Sequence, residues 1–317
     1  YSKSYYNFVE NYGDLKKGSI DDTQKELLEI FSQHINNSKR IEESLIMREL
    51  IHHSRTETHT VIEKIYESYG YRPDHKTIQS AIHNVNLKYN TVNQNKKLIT
   101  YKDKVGHEMV MVENNQIKLS EFLSNQLKNK FFRRYLLDST YYSIRKFKRL
   151  FKINNYFDGF VLYRKYSRKD VFRILCYDKQ PVAQNVGGYL INPDSSNCPI
   201  FVNYHKHEDI SSTTKYEDVF INNVTFQWMS KSNRTLKSND VLTIRNNNEM
   251  RLPLFIKKSN DEGKDFYYMG DVRPIDSSFT QESMKNDKGQ SIPVVRLHFS
   301  LDNPVEKSLY NYITEND

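Results

Sequence analysis

Residues 252–272, LPLFIKKSNDEGKDFYYMGDV, contain two apolar runs on either side of a polar turn. The runs, Leu252–Lys257 and Phe266–Val272, are rich in the branched and aromatic residues that favour strands. Between them, Glu262-Gly263-Lys264 has the composition of a hairpin tip. Further short runs of this kind follow residue 155, separated by Gly, Pro, Asn, Asp and Ser: Phe160–Tyr163, Val186–Ile191, Ile200–Tyr204 and Val294–Leu301. This pattern predicts a compact, mostly antiparallel barrel or curled sheet.

One helix is expected early in this β region. Ser167 and Asp170 have the spacing of a capping box, in which each side chain bonds the other's backbone at a helix start. The apolar residues Val171, Phe172, Ile174 and Leu175 follow directly, so the helix would bury one face.

The first 150 residues have a pattern of apolar residues that is typical of helices. Apolar residues recur at helical spacing in Leu27–Phe31, Ile41–Leu50, Val61–Tyr66 and Ile78–Val85, and Tyr71-Arg72-Pro73-Asp74 breaks the pattern. We therefore predict an α+β protein of 317 residues with two domains. Residues 1–150 would form a helical domain that ends in a basic helix, and residues 151–317 a β-barrel domain.

A hairpin is predicted after these helices, because Met109–Val112 and Ile117–Leu119 flank Asn114-Asn115. The order helix, turn, helix, hairpin is that of a winged helix, which would place the helix near residues 75–88 in a DNA groove. A helical spacer with a small hairpin is the alternative. The candidate groove helix carries only Lys76 and Lys88 as basic residues, which favours the spacer.

The net charge of +8 is concentrated near the middle of the chain. Residues 1–120 carry 17 basic and 16 acidic groups, and residues 180–317 carry 15 and 18, whereas residues 121–179 carry 15 and 5, a local charge of +10. Such a strip is either a solvated helix face or a surface that contacts phosphates and makes affinity depend on salt. Aromatic residues share the segment 121–152, and their helical spacing predicts a buried stripe of Phe131, Phe132, Tyr135, Tyr141, Tyr142, Phe147 and Phe151.

Several classes of protein lack their signatures here. The sequence has no phosphate-binding P-loop, and its mean hydropathy of -0.77 leaves no apolar run long enough to span a membrane. It has no Cys-x-x-Cys or His-Glu-x-x-His motif for zinc. Asp194, Glu262 and Lys264 imitate a nuclease pattern, but they fall in expected turns. We predict no catalytic residue and no metal site.

Two cysteines and the absence of a leader favour a cytoplasmic piece of a longer protein.

Aromatic, acidic and basic residues interleave most densely between residues 201 and 234. This mixture suits a pocket for one unstacked base, because aromatic planes stack on it and a carboxylate accepts from its exocyclic amine. The alternative is that the aromatic residues are the core of a β fold. Trp228 and Tyr216 fit the pocket better than the phenylalanines, since each has an amphipathic ring among polar neighbours.

At these residues the chain resembles a known family. The ordered motifs are Tyr166-Ser-Arg-Lys-Asp170, Gly187-Gly188-Tyr189, Phe201-Val-Asn-Tyr-His-Lys206, Tyr216-Glu-Asp-Val-Phe220, Phe226-Gln-Trp-Met-Ser230, Leu254-Phe-Ile-Lys-Lys258 and Phe266-Tyr-Tyr-Met-Gly270. They are similar to the C-terminal region of SauUSI-type ATP-dependent type IV restriction endonucleases over residues ~155–300. For residues 1–150 only their position in the chain supports the resemblance.

The resemblance implies an SRA-like or PUA-like curled barrel that binds double-stranded DNA and flips 5-methylcytosine or 5-hydroxymethylcytosine into an aromatic pocket. It implies helicase and nuclease domains upstream in the same polypeptide, which would use ATP and magnesium, and a homodimer through that nuclease. Residues 1–150 would couple the reader to the motor. This fragment itself would need no cofactor and would not contact a membrane.

The site residues follow mainly from local chemistry. The expected base pocket contains Tyr216, Asp218, Phe226, Trp228 and Ser230, with Tyr267, Tyr268 and Asp271 added because a Tyr-rich strand ending in Gly-Asp resembles a strand of SRA pockets. The expected phosphate contacts are Lys206, Lys215, Lys231, Arg234, Arg164, Lys165, Arg168 and Lys169. Two other functions stay open: a structural coupler that binds DNA non-specifically and regulates an attached helicase-nuclease, and a cryptic nuclease.

Overall fold

The computed structural model describes residues 4–13, 19–205, 218–285 and 289–315. The chain divides into two compact units, unit 1 (Tyr1–Gly159 and Arg173–Gln180) and unit 2 (Phe160–Phe172 and Pro181–Asp317). Across the described ranges, no helix is both long and apolar enough to cross a membrane. The protein is of the α+β class, with helices in its N-terminal part and a curled half-barrel sheet in its C-terminal part.

Unit 1 is mostly helical. Its elements are α1 (Tyr5–Tyr12), α2 (Asp22–Ile30), α3 (Glu42–His53), β1 (Arg55–Glu57), α4 (Thr58–Tyr69), α5 (His75–Val85), β2 (Thr91–Gln94), β3 (Lys97–Thr100), α6 (Tyr101–Val105), β4 (Val110–Glu113), β5 (Gln116–Leu119), α7 (Glu121–Gln126), α8 (Lys130–Leu150) and β6 (Tyr156–Phe157). A short π-helical turn, Phe31–Ile35, continues α2.

The middle of unit 1 combines three helices with a three-stranded sheet. The strand order is β1-β5-β4, and along the chain α3, β1, α4 and α5 precede the β4–β5 hairpin, with β2, β3 and α6 between α5 and that hairpin. Asn114 and Asn115 turn the β4–β5 hairpin with φ of 49° and 62°, the left-handed pair that a two-residue hairpin loop requires. The elements therefore occur in the order of a winged helix with an insertion, and the choice between a winged helix and a helical spacer stays a prediction. Charge reports on what a helix binds and does not determine strand pairing.

Helix α8 buries a narrower stripe than the sequence predicts. Phe132, Leu136 and Phe147 are buried against the core of unit 1, together with Thr140 and Ser143. The prediction is wrong for Phe131, Tyr141 and Tyr142, which lie on the outer side and are 39%, 41% and 62% exposed. Aromatic residues occur around most of this helix, so their spacing alone does not identify the buried face.

Unit 2 is built mainly from strands. Its elements are β7 (Phe160–Val161), β8 (Lys165–Ser167), α9 (Arg168–Ile174, whose last two residues belong to unit 1), α10 (Ala183–Val186), β9 (Ile200–Asn203), β10 (Val219–Asn222), β11 (Thr225–Met229), α11 (Asn239–Asn246), β12 (Pro253–Lys257), β13 (Asp265–Pro274), β14 (Thr280–Lys285), β15 (Ser291–Leu301) and α12 (Lys307–Thr314). One of the two bonds of the predicted capping box is present, because the Asp170 N–H donates to Ser167 Oγ at 3.2 Å; the Ser167 hydroxyl also donates to the Asp170 carboxylate at 2.5 Å.

The main sheet of unit 2 has the order β10-β11-β15-β13-β12-β9, with β14 added to β15 and β8 to β13. The hairpin predicted over residues 252–272 is confirmed, since β12 and β13 pair antiparallel with Leu254 opposite Gly270. The strand predicted over Val186–Ile191 is wrong. The chain forms α10 there and turns at Gly187, whose φ is +56°, and only Tyr189 bridges to Ile200.

The curled sheet encloses an apolar core and leaves two edges. Ile200, Leu254, Met269 and Leu297 are among the buried residues of that core. Strand β9 ends the sheet on one side and β10 ends it on the other, with β11 next to it. A sheet edge exposes unpaired backbone groups unless other residues cover it.

Candidate functional site

A cavity of about 160 Å³ lies between the two edges of the curled sheet in unit 2. Strand β9 and the segment 187–189 form one side of it, and Asp218 with the end of β11 forms the other. The lining residues are Arg168, Gly187, Gly188, Tyr189, Phe201, Val202, Asn203, Asp218, Trp228, Met229, Ser230 and Lys231. Engineered protein cavities of ~150 Å³ admit a benzene ring, so this volume suits a single six-membered ring.

The glycine pair gives this cavity its space. Gly187 has a φ of +56°, and a Cβ at that position would lie 3.1 Å from Cε of Lys231. A Cβ at Gly188 would lie 3.6 Å from the carbonyl oxygen of Phe201, which is ordinary contact distance. A side chain at Gly187 would therefore both strain the backbone and displace Lys231.

Asp218 provides a carboxylate in the wall. Its Oδ1 accepts a hydrogen bond from the Met229 N–H at 3.0 Å, which fixes the side chain beside the end of β11. The residue is only 7% exposed. A carboxylate held in this way can accept a further hydrogen bond from an amine that enters the cavity, because each ionised carboxylate has about four acceptor sites.

The aromatic wall is formed by Trp228 and Tyr189. Their rings meet edge to face with centroids 5.0 Å apart, and the indole also packs against Phe299 at 5.3 Å. The Tyr189 hydroxyl donates to Oδ2 of Asp240 at 2.6 Å, and burial is the main reason that the pKa of Tyr189 is raised. These rings are fixed before any ligand binds, so they form a preset wall.

Lys231 and Ser230 have different roles beside this wall. Nζ of Lys231 lies 4.5 Å from the centroid of the Tyr189 ring, and burial lowers the pKa of its ammonium group. Ser230 is fully buried, donates to the carbonyl of Lys231 at 3.1 Å and accepts from the Val295 N–H at 2.9 Å. Ser230 therefore ties β11 to β15, while Lys231 brings a positive charge to the cavity.

A second cavity of about 540 Å³ shares Arg168 and Asn203 with the first. Its other lining residues are Ser167, Lys169, Lys257, Asn260, Gly263, Lys264, Asp265 and Phe266. Four of the lining residues are cationic and one is a carboxylate. Burial, and then the positive charge of Arg168, lower the pKa of Lys257, whose Nζ donates to the Gly263 carbonyl at 2.9 Å.

The residues shared by the two cavities carry unpaired buried polar atoms. Nε of Arg168 and Oδ1 of Asn203 are buried and have no hydrogen-bond partner among the residues that the structure describes. The Arg168 guanidinium lies between the rings of Phe201 and Phe266, with Cζ 5.4 Å and 5.2 Å from their centroids, and burial lowers its pKa. Leaving a buried donor unpaired costs about 1–3 kcal/mol, so this junction favours a ligand that supplies acceptors to Arg168.

Two of the predicted pocket residues belong to a separate structural cluster. Tyr268 is fully buried, and its hydroxyl donates to Oδ1 of Asp271 at 2.7 Å, while Nε of Arg251 donates to the same carboxylate at 2.7 Å. Burial and the charge of Asp271 raise the pKa of Tyr268. Neither Tyr268 nor Asp271 lines the 160 Å³ cavity.

Phe226 and Tyr267 do not line this cavity either. Phe226 is buried in the core, edge to face with Phe220 at 4.9 Å. Tyr267 lies under Lys165, whose Nζ is 4.4 Å from the ring centroid and 3.1 Å from Oε1 of Glu262. Of the predicted set, the structure therefore brings Asp218, Trp228 and Ser230 together on one cavity. Tyr216, Lys206 and Lys215 lie outside the described residues.

The predicted phosphate contacts are divided in the same way. Arg168 and Lys169 line the basic cavity, and Lys231 lines the smaller one. Nε of Arg234 donates to Oδ2 of Asp240 at 2.6 Å, and Cζ of Arg164 lies 5.6 Å from the Tyr166 ring centroid. Arg234 therefore helps to fix the carboxylate that holds Tyr189.

The residues that imitate a nuclease pattern serve local structure. Oδ1 of Asp194 accepts from the backbone and the hydroxyl of Ser196 at 2.9 Å and 2.6 Å. Glu262 accepts from the Tyr312 hydroxyl at 2.6 Å and from Lys165. Within the part of the chain that the structure describes, no group of three or more His, Cys, Asp or Glu side chains is placed to hold a metal ion.

Sequence reasoning missed the roles of Gly187, Gly188, Tyr189 and Asn203. The signal was present in the glycine pair followed by an aromatic residue, because adjacent glycines before a strand often mark a close approach of the backbone. The unpaired atom of Asn203 has no sequence signature, since it depends on burial.

Comparison with known proteins matches each half of the chain to a family. Residues 160–313 match the family described as Domain of unknown function (DUF3427), and residues 1–150 match Domain of unknown function (DUF8090). Comparison with curated protein sequences gives no match. Among solved structures, the chain is similar to the DNA modification-dependent restriction endonuclease AspBHI, with 14% identity over 48% of this chain and 79% of that chain and a TM-score of 0.31. A TM-score of this size does not establish a common fold.

Proposed function

We propose that unit 2 reads DNA by accepting one flipped cytosine, methylated or hydroxymethylated at C5, into the 160 Å³ cavity. The observation that supports this most directly is the cavity itself, which combines the volume of one six-membered ring, a fixed aromatic wall and the Asp218 carboxylate. This volume is sufficient for a pyrimidine ring.

Asp218 and Arg168 give the proposed pocket complementary hydrogen-bonding walls. The Watson–Crick edge of cytosine presents a donor at N4 and acceptors at N3 and O2. A carboxylate such as Asp218 accepts from the amine, whereas Arg168 has an unpaired buried Nε–H to donate. Thymine presents an acceptor at the position of the cytosine amine, so a carboxylate there disfavours thymine.

The adjoining basic cavity supports nucleic acid as the ligand. A flipped nucleotide has phosphates on both sides, and Arg168, Lys169, Lys257 and Lys264 surround a space next to the base cavity. Aromatic stacking is worth roughly 1–3 kcal/mol per base, which offsets the few kcal/mol needed to extrude one from a duplex. In this model of function, the present chain binds the DNA, and nuclease and helicase domains in the same polypeptide carry out the chemical step.

The decisive experiment compares matched duplexes that differ at one cytosine. Binding is measured by fluorescence anisotropy for unmodified, 5-methyl and 5-hydroxymethyl duplexes at two salt concentrations, because salt separates the phosphate contribution from the base contribution. We expect both modified duplexes to bind at least about tenfold more tightly than the unmodified one. Equal affinities at both salt concentrations would contradict the proposal.

A structural coupler is the second candidate, and the contact of α5 with the segment 173–180 favours it. Nε2 of His83 lies 2.8 Å from the carbonyl oxygen of Asp178, so residues of the segment 173–180 pack on this helix within unit 1. Burial lowers the pKa of His83. A winged helix that reads DNA inserts this helix into a groove, so a weakly charged α5 suits a role in protein contacts better. A coupler alone would bind modified and unmodified duplexes equally.

A further inference from the structure

A cleft of about 860 Å³ in unit 1 collects exposed aromatic side chains. Tyr5 and Phe8 of α1 and Tyr141 and Tyr142 of α8 line it and are 61%, 52%, 41% and 62% exposed. Among the described residues, six phenylalanine and tyrosine side chains are at least 41% exposed, and four of them line this one cleft. Large apolar side chains that cluster on a surface usually mark a binding site.

Positively charged side chains lie beside these aromatic rings in the cleft. Arg145 and Lys146 line the cleft, and Nζ of Lys146 lies 5.7 Å from the ring centroid of Tyr142. Arg134 and Arg149 lie on the same face of α8, one helical turn beyond the cleft at each end, because residues three and four apart share a face. Arg134, Arg145 and Arg149 have no ion-pair partner within the described residues, and Asp138 is the only carboxylate among the described lining residues.

We infer that this cleft binds single-stranded nucleic acid. Bases stack on exposed aromatic rings while cations follow the backbone phosphates, and this combination is what modules that bind single strands share. A duplex conceals the faces of its bases and would use only the cations. An apolar protein partner would cover the rings and leave the cations unpaired.

The dimensions of α8 agree with this ligand. Arg134 and Arg149 are about 22 Å apart along the helix at 1.5 Å per residue. The shortest sites of single-strand-binding modules cover about four nucleotides. Tyr141 is held in place because His52 Nε2 lies 3.0 Å from its hydroxyl oxygen, so one stacking surface is fixed before the ligand binds.

The test uses the whole chain and a fluorescein-labelled oligothymidylate of about 20 nucleotides. This probe contains no cytosine, so its binding does not depend on the proposed pocket of unit 2. We expect the Tyr141→Ala/Tyr142→Ala variant to bind it at least about tenfold more weakly than the wild type. The Tyr141→Phe/Tyr142→Phe variant keeps both rings and should bind within about twofold of the wild type.

The matched control is Tyr66→Ala. Tyr66 is an exposed tyrosine of unit 1 outside the cleft, and its ring lies 3.5 Å from the Arg72 guanidinium carbon. This variant should bind like the wild type, and helical circular dichroism should show that all variants are folded. Equal binding of an abasic oligomer of the same length by the wild type would overturn the inference, as would unchanged binding by the double alanine variant.

Discussion

The indole of Trp228 meets the ring of Tyr189 edge to face, with centroids 5.0 Å apart, in the wall of the proposed base cavity. Trp228 is only 2% exposed and also packs on Phe299. It therefore supports both the core of unit 2 and the shape of the cavity. The contribution of Trp228 to stability can be distinguished from its contribution to the cavity by comparing variants that remove all or only part of the indole ring.

Trp228→Ala should destabilise unit 2 by about 3–5 kcal/mol, because it removes a buried aromatic side chain and leaves a cavity. Trp228→Phe should cost less and should keep part of the wall. Thermal denaturation followed by circular dichroism measures the first effect. Anisotropy with modified and unmodified duplexes measures the second, where we expect the phenylalanine variant to keep a reduced preference for the modified base. A preference that is unchanged in a folded alanine variant would show that Trp228 is not part of the pocket.

Asp218→Asn should reduce the preference for modified cytosine about tenfold. The asparagine oxygen can still accept from the Met229 N–H, so the local structure persists, but the charged acceptor for the base amine is lost. Affinity for the unmodified duplex should stay the same, because phosphate contacts dominate it. Asp276→Asn is the control, since Asp276 pairs with Arg245 on the surface of unit 2.

Arg168→Gln should weaken binding and reduce its dependence on salt. Each phosphate contact contributes about 0.9 to the slope of log affinity against log salt concentration, so the slope should fall by roughly one. Arg273→Gln is a suitable control, because this arginine is 79% exposed and already pairs with Asp302. An Arg168 variant with an unchanged slope and reduced modification preference would assign Arg168 to the base alone.

The sequence predicts the strands of unit 2 well where turns are marked by polar residues and glycine. The β12–β13 hairpin is an example, because Gly263 and its polar neighbours separate two strongly apolar runs. The prediction fails at Val186–Ile191, where the same kind of apolar composition surrounds two glycines. Composition cannot show that Gly187 takes a positive φ, which turns the chain there instead of continuing a strand.

The candidate site is predictable only in part, for a related reason. Asp218 and Trp228 stand out in the sequence as polar and amphipathic residues in an aromatic segment, and both line the cavity. Tyr268 and Asp271 look equally suitable in the sequence. In the structure, however, both Tyr268 and Arg251, which precedes Asp271 by twenty residues, donate to the Asp271 carboxylate. Such a long-range ion pair leaves no periodic signal in the sequence.

Tyr268→Phe should therefore destabilise unit 2 without changing the preference for modified DNA. The variant removes a buried hydroxyl that donates to Asp271, at a cost of about 1–2 kcal/mol. The chain has a single tryptophan, Trp228, so its fluorescence during urea denaturation reports on unit 2. Loss of the modification preference in this variant at full folding would place Tyr268 in the pocket and contradict the assignment made above.

Glu43 provides the last prediction, because two buried arginines of unit 1 depend on it. Oε1 of Glu43 accepts from Arg173 and from Arg40, each at 2.6 Å, and all three residues are at most 2% exposed. Glu43→Gln should destabilise unit 1 by about 3–5 kcal/mol, because it leaves two buried cations without their counterion. The helical circular dichroism signal in urea measures this loss, and Glu113→Gln, which breaks the exposed pair with Lys118, should leave the stability almost unchanged.

The loss of stability caused by Glu43→Gln should also depend on pH. Burial acts to raise the pKa of Glu43, but the charges of Arg40 and Arg173 outweigh it and hold the pKa below its ordinary value. A carboxylate with a lowered folded-state pKa contributes stability that is complete above its unfolded pKa, about 4.3, and disappears as the pH falls through the folded value. Its neighbour Glu42 has a raised pKa, mainly because of burial, and so acts in the opposite direction. The difference between wild type and Glu43→Gln should therefore be full at pH 7 and shrink below about pH 4, whereas a difference that is constant down to pH 2 would show that folding does not shift the pKa of Glu43.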